Sequence, residues 1–413
     1  MPAFLTHWYI LIETARRSED AGNDLGSIIV DTSALRRRFS GQTTPPLTTP
    51  AGAVWQTGPL PAIDYSFPGS DISAMAYIGS LAPDIATFHR DHRASYFSDT
   101  YTSNNLTQSQ PLQRRYPWST LLHTNRSGGF PLAFLELIAE VPSPAVRSMA
   151  LAFLLGYLTH IATDIAINPW LNVLSHTFQR RDIAPMLLRP GLHSYVRLCL
   201  DAYIARTHFQ RPLYSWFNQP WHLYIEPAAR DLQHTATLTT RVLDLLIAAI
   251  ETTYGLSEAE SKLFRTDFLA GLRNLHSFLA GRDAFFWLAL NTGIYQRLLD
   301  PIATTITMTQ SSPEATTLPQ LFAYTLQLSE RLCRSAISYY ASLRNTNATA
   351  EERSQRRVAL HNTLRDWDLN TGYSLDVSFD QEITLRFLHN WIHFSALWNP
   401  ESEHHNPSTK NRL

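Results

Sequence analysis

The stretch that most limits what this chain can become is "SPAVRSMALAFLLGYLTHIATDIAI", residues 143–167. It is apolar almost all round. As a helix it has no face to give to water, so it belongs in the middle of a protein, covered by other elements. Ser143 stands at the N-cap and Pro144 at the first helical position, where a missing N–H costs nothing. Yet the stretch carries His160 and Asp164, one turn apart on one face. An imidazole and a carboxylate so placed can share a metal ion, and they can also hydrogen-bond to each other.

The cover is helical as well. Residues 4–17 form a first helix, and Ser70 and Asp71 start another that Pro83 ends or breaks. "WSTLLHT" is helical and is stopped by "SGG" at 127–129; "PLAFLELIAEV" follows. Further on, "GLHSYVRLCLDAYIARTHF" (191–209), "TLTTRVLDLLIAAIETTYG" and "LPQLFAYTLQLSERLCRSAISYYASLR" keep a helical period, and Ser257 with Glu260 forms a capping box. Residues 42–70 are rich in Thr, Pro and Gly and read as a loop insertion; 98–117 are polar and irregular. No alternating run of useful length predicts a strand, and no repeat stands out. The expected class is all-α. Residues 1–210 are expected to form the core, 211–400 a helical part packed on it, and 401–413 a polar tail.

Composition narrows the chemistry. Thirty-four Lys and Arg balance 35 Asp and Glu, for a net charge of −1, which is not the pattern of a polycationic nucleic-acid binder. Two cysteines, Cys199 and Cys333, exclude a disulfide scaffold and leave His, Asp and Glu as the metal-binding side chains. The first residues lack the basic start and the uninterrupted apolar core of a secretory signal, since His7 divides "MPAFLTHWYILIE". The most apolar run, 149–158, is about ten residues where a bilayer needs roughly 20. These features predict a cytoplasmic protein without a transmembrane segment. Gly-rich phosphate loops and nucleophile elbows are absent from the sequence.

Five elements occur in a telling order: "MPAFLTH", "GSLAPDI", "LLHTNRSG", "GYLTHIATD" and "LHSYVRLCLD". In this the chain resembles the zinc-dependent phospholipase C family, related to the single-strand-specific zinc nucleases. The matching residues are His7, Asp84, His123, His160 with Asp164, and His193 with Asp201, all within about the first half of the chain. The resemblance implies a helical bundle that holds zinc and hydrolyses phosphodiesters by attack of a metal-bound hydroxide. It implies that Asp84, His123, His160 and Asp164 form the main site, that His7 and Asp164 hold part of a second, and that Asp164 bridges the two. His193 is a further candidate ligand. The implied substrate is a phospholipid or another phosphodiester, with peripheral membrane contact as a possible accompaniment. The chemistry is coherent: zinc brings the pKa of bound water to about 7, and only a carboxylate offers two oxygens for bridging. Asp84 is the candidate catalytic residue, as ligand, base or both.

The chain also departs from the family pattern. Where a histidine follows the central Asp in the family, Asn168, Pro169, Trp170 and Leu171 stand here. Where the next helix should offer a Glu, Arg197 stands, and a guanidinium repels a cation. Arg197 can pair with Asp201, four residues on, or meet a substrate phosphate. One or two zinc ions are therefore expected rather than three. The alternative function is a non-catalytic helical binding or scaffold protein with a reduced, structural metal site. His89 and His92 read as a solvated basic segment, and His389 and His393 as an amphipathic-helix feature.

Overall fold

A computed structural model describes residues 4–20, 71–85, 118–180, 238–272, 318–369 and 373–374, together with positions 197, 200, 201, 203 and 204. Its helices are α1 (Phe4–Asp20), α2 (Asp71–Gly79), α3 (Ala82–Ile85), α4 (Trp118–Thr124), α5 (Gly129–Glu140), α6 (Pro144–Arg180), α7 (Leu238–Tyr254), α8 (258–272), α9 (Leu318–Arg344) and α10 (Ala350–Leu364). Positions 197, 200, 201, 203 and 204 are also helical. Two residue pairs, Trp367–Asp368 (β1) and Tyr373–Ser374 (β2), form a minimal antiparallel ribbon with Trp367 opposite Ser374. The described protein is all-α in class, as its sequence predicts.

Helix α6 is the axis of the bundle. It runs for 37 residues, about 55 Å at 1.5 Å per residue. Every described side chain from Ala150 to Leu171 is buried. Helices α1, α2, α5, α7 and α9 all pack on it. The start matches the sequence: the Val146 N–H faces Ser143 Oγ at 3.5 Å and the Arg147 N–H bonds to Ser143 O at 3.0 Å. The end does not. The sequence pattern places it near Ile167, but the helix continues through Pro169. Proline there removes one backbone donor, and burial of Trp170 and Leu171 holds the helix together beyond it. The window Pro144–Leu171 is long and apolar enough to cross a membrane, contrary to what the ten-residue run alone suggests. It is the one such stretch among the described residues, and it is buried inside the bundle from Met149 onward.

Two glycines set the crossing of α2 and α6. A Cβ on Gly79 would stand 2.0 Å from Phe153 O, and one on Gly156 would stand 2.0 Å from Ala76 O. Only hydrogen permits the backbones to approach this closely. Helix α2 then ends at Gly79, earlier than the proline suggests; Ser80 and Leu81 form the turn, and Pro83 lies in the first turn of α3, where its missing N–H is harmless. The consequence for the site is direct, because this turn carries the Ser80 carbonyl and Asp84 to the middle of α6.

The later part of the chain closes the other side. Thr14 Oγ1 on α1 donates to Ser329 Oγ on α9 at 2.9 Å. Beyond α10, Leu369 N donates to His123 O at 2.8 Å, and Ser127 Oγ exchanges two hydrogen bonds with the Trp367 backbone. The capping box is present, with Ser257 N donating to Glu260 Oε2 at 2.8 Å and Glu260 N facing Ser257 Oγ at 3.4 Å. Gly255 ends α7 at φ +67°, the left-handed position where a side chain is strained. The loop insertion 42–70, the segment 98–117, the tail 401–413, Cys199, and the histidines at 89, 92, 193, 389 and 393 lie outside the described residues.

Candidate metal centre

Four elements bring five side chains to one point halfway along α6. Helix α1 supplies His7, α3 Asp84, α4 His123, and α6 His160 and Asp164. All five are buried, at 0% to 5% exposure. Burial of so many polar groups is costly unless each is compensated, and the way they compensate one another defines the site.

Asp164 is the hub. Its Oδ1 lies 3.5 Å from His7 Nε2, and its Oδ2 lies 3.4 Å from His123 Nε2 and 3.0 Å from His160 Nε2. Asp84 faces the same rings, with Oδ1 3.5 Å from His123 Nε2 and Oδ2 3.9 Å from His7 Nε2. The His7 and His160 rings stack at 4.2 Å between centroids and 5° between planes, and His123 meets His160 edge-on at 5.5 Å. Two triads have ligand atoms within 4.8 Å of one another: His7, His160 and Asp164, and Asp84, His123 and His160.

Outer contacts fix two of the three rings. His160 Nδ1 lies 2.8 Å from Ser80 O, and His123 Nδ1 lies 2.7 Å from Ser119 O. A carbonyl only accepts, so each Nδ1 carries a hydrogen, and in the neutral ring Nε2 holds a lone pair aimed at the carboxylates. This is the arrangement that orients imidazole for a metal. The shortest contact supports it. At 3.0 Å, His160 Nε2 and Asp164 Oδ2 are at hydrogen-bond distance, yet His160 Nε2 makes no hydrogen bond. Where that nitrogen carries its lone pair, two acceptors this close repel, and a proton or a shared metal cation between them removes the repulsion. His7 Nδ1 is likewise buried without a partner. Imidazole nitrogen and carboxylate oxygen together suit zinc, so the donor set fits the ion that the sequence suggests.

Without metal, imidazole protons compensate the carboxylates, and His123 holds one firmly. Burial works against that proton on His123, but hydrogen bonding to Asp164 and Asp84 wins and raises its pKa to about 10. Burial, then the neighbouring His160, pushes His7 down to about 3, so it stays neutral. Burial would raise Asp84, but hydrogen bonding to His123 and the charge of His160 bring it to about 2. Asp164 is held well below the usual carboxylate range against its own burial, first by His160 and then by His123.

The two departures noted in the sequence meet each other. Arg197, 7% exposed, donates from Nη2 to Asn168 Oδ1 at 3.2 Å, and Asn168 Nδ2 donates to Leu369 O at 3.0 Å. Asn168 lies one turn beyond Asp164 on α6, so this polar chain continues the face that carries the cluster. The Arg197 charge also reaches His7, adding to the pressure against its protonation. Asp201 Oδ1 accepts from Thr6 N at 3.0 Å and from Thr6 Oγ1 at 3.1 Å. It thus holds the opening turn of α1, and with it His7.

Sequence reasoning singles out all five clustered side chains. It misses Ser80 and Ser119, which act through backbone carbonyls, with Ser119 Oγ also 3.2 Å from His123 Nδ1. It also misses Tyr157, whose spacing to His160 and Asp164 (three and seven residues) is the available signal. His193 lies outside the described residues. Comparison with protein-family models, with curated proteins and with solved structures finds no match for this chain.

Proposed function

We propose that this protein is a zinc-dependent phosphodiester hydrolase of phospholipase C type. The observation that carries the proposal is the meeting of three imidazoles and two carboxylates in a buried cluster, with His160 Nε2 and Asp164 Oδ2 at 3.0 Å and no hydrogen bond at that nitrogen. The order of His7, Asp84, His123, His160 and Asp164 along the chain, and its resemblance to the phospholipase C family, point the same way.

Asp84, His123, His160 and Asp164 would hold a main ion, and His7 with Asp164 part of a second. A bridging role for Asp164 is supported by its two oxygens, which face different rings. Zinc bound there would supply a Lewis acid and a water acidified to about neutral pH. Ser80 and Ser119 keep the His160 and His123 tautomers in place. Asp84, ionised and facing His123 Nε2 at 3.5 Å, would accept a proton. Arg197 adds fixed positive charge beside His7, which favours an anionic substrate.

A second reading is a scaffold protein whose metal is purely structural. The link from Arg197 to Asn168 favours it, because it fills positions where the resemblance calls for ligands. Hydrolysis separates the two. Zinc-loaded protein should release product from phosphatidylcholine vesicles or from bis-p-nitrophenyl phosphate, and Asp84→Asn should lower the rate at least 100-fold. Bound zinc without turnover of either substrate would leave the scaffold reading standing.

A further inference from the structure

Among the buried polar groups outside the cluster, Tyr157 stands on the same helix as the cluster's hub, Asp164. Tyr157 lies on α6 three residues before His160 and seven before Asp164, so all three share one stripe of the helix. Its ring centroid is 6.4 Å from that of His160, and Phe130 packs on it at 4.8 Å. The side chain is 1% exposed, and its hydroxyl has no hydrogen-bond partner among the described residues. The hydroxyl of half-buried Tyr254, at the end of α7, is likewise buried without a hydrogen-bond partner among the described residues. The two phenols are close enough to influence each other, and Tyr157 also feels the charges of Asp164 and Asp84. Burial first, and then these neighbours, keep the Tyr157 phenol protonated far above its ordinary value. It is therefore a hydrogen-bond donor at any working pH.

A buried hydroxyl with nothing to bond is a liability that phenylalanine would avoid at equal volume. Such a donor on the stripe of a cation-binding cluster, with a second donor within its electrostatic reach, calls for a ligand rich in acceptor oxygens. Resting on the zinc-dependent reading above, we propose that Tyr157 is a substrate-binding residue: its hydroxyl donates to a phosphate oxygen of a ligand seated at the His160 and Asp164 centre, and Tyr254 completes the same subsite. The ligand class is a phosphoester or free phosphate. A cationic or purely apolar ligand would leave both donors unmet.

The test uses the full chain as wild type, Tyr157→Phe and Tyr254→Phe. Zinc content is measured on each, the metal-free forms are melted, and inorganic phosphate is titrated calorimetrically into the zinc-loaded forms. The expected result is unchanged zinc content and a metal-free melting temperature that is equal or higher. Phosphate affinity should fall about tenfold for Tyr157→Phe and several-fold for Tyr254→Phe, the scale of one hydrogen bond to a charged group. Equal phosphate affinities with zinc bound would overturn the inference while leaving the zinc centre in place. A lower melting temperature of metal-free Tyr157→Phe would assign the hydroxyl to an internal structural contact and also overturn it. A wild type that takes up no zinc would overturn the zinc reading, and the inference with it.

Discussion

Acidity divides the histidines of the cluster, and the division should be visible in the stability of the metal-free protein. His7 has a pKa of about 3 in the folded chain against 6.5 unfolded. Between those values the unfolded state binds the extra proton, so stability rises with pH. His123 is the reverse, at about 10 folded against 6.5 unfolded. Its contribution is fully present below 6.5 and is lost as pH rises toward 10. Among the described residues these are the two groups whose shifts act between pH 5 and pH 8.5. The shifted carboxylates change state below 3.8, and the buried tyrosines and Cys333 above 9. Stability should therefore peak near pH 6.5 to 7. Summing the two linkages, it should be about 1 kcal/mol lower at pH 5 and about 2 kcal/mol lower at pH 8.5. Urea unfolding of chelator-treated protein at these three pH values measures this directly. Zinc should abolish the alkaline fall, because a liganded His123 carries no proton to lose. His123→Gln should remove the alkaline limb and keep the acid one. Metal-free stability that stays flat or rises from pH 6.5 to 8.5 would refute the pairing of His123 with Asp84 and Asp164.

Other outcomes follow from the same contacts. Zinc binding at pH 7 should release at least one proton, that of His123, detectable by calorimetry in buffers of different ionisation enthalpy; no release would mean that the ring is already neutral. Gly156→Ala should destabilise by about 3 kcal/mol, since its Cβ would stand 2.0 Å from Ala76 O, a backbone atom that moves only with α2. A loss below about 0.5 kcal/mol in urea unfolding would mean that α2 and α6 do not cross so closely.

How much of this was legible in the sequence depends on where the information lies. The central helix is legible because an apolar stretch this long has nowhere to go but the core. His160 and Asp164 are legible because helical spacing puts them on one face of it. His7, Asp84 and His123 are legible through their order and the turns around them, and the fold brings them to that same face. Less could be read where backbone acts in place of side chains. The carbonyls of Ser80 and Ser119 orient two rings, yet any residue could supply them. Helix α2 ends at Gly79, before Pro83, and the close approach at Gly79 and Gly156 involves a partner backbone that nothing local reports. Packing of Trp170 and Leu171 carries α6 past Pro169, where local propensity predicts a stop. Asn168 and Arg197 stand out in the sequence as departures, but their link to each other and to Leu369 joins segments far apart in the chain and shows only in the fold.

Metal content of the purified protein tests the central claim most directly. Full-length protein purified without chelator and analysed for elements should carry about one to two zinc ions per chain, and Asp164→Ala, which removes the carboxylate that touches all three rings, should carry less than about a tenth of that. Wild-type protein that is folded but holds no stoichiometric zinc, or an Asp164→Ala variant that holds as much as wild type, would contradict the account.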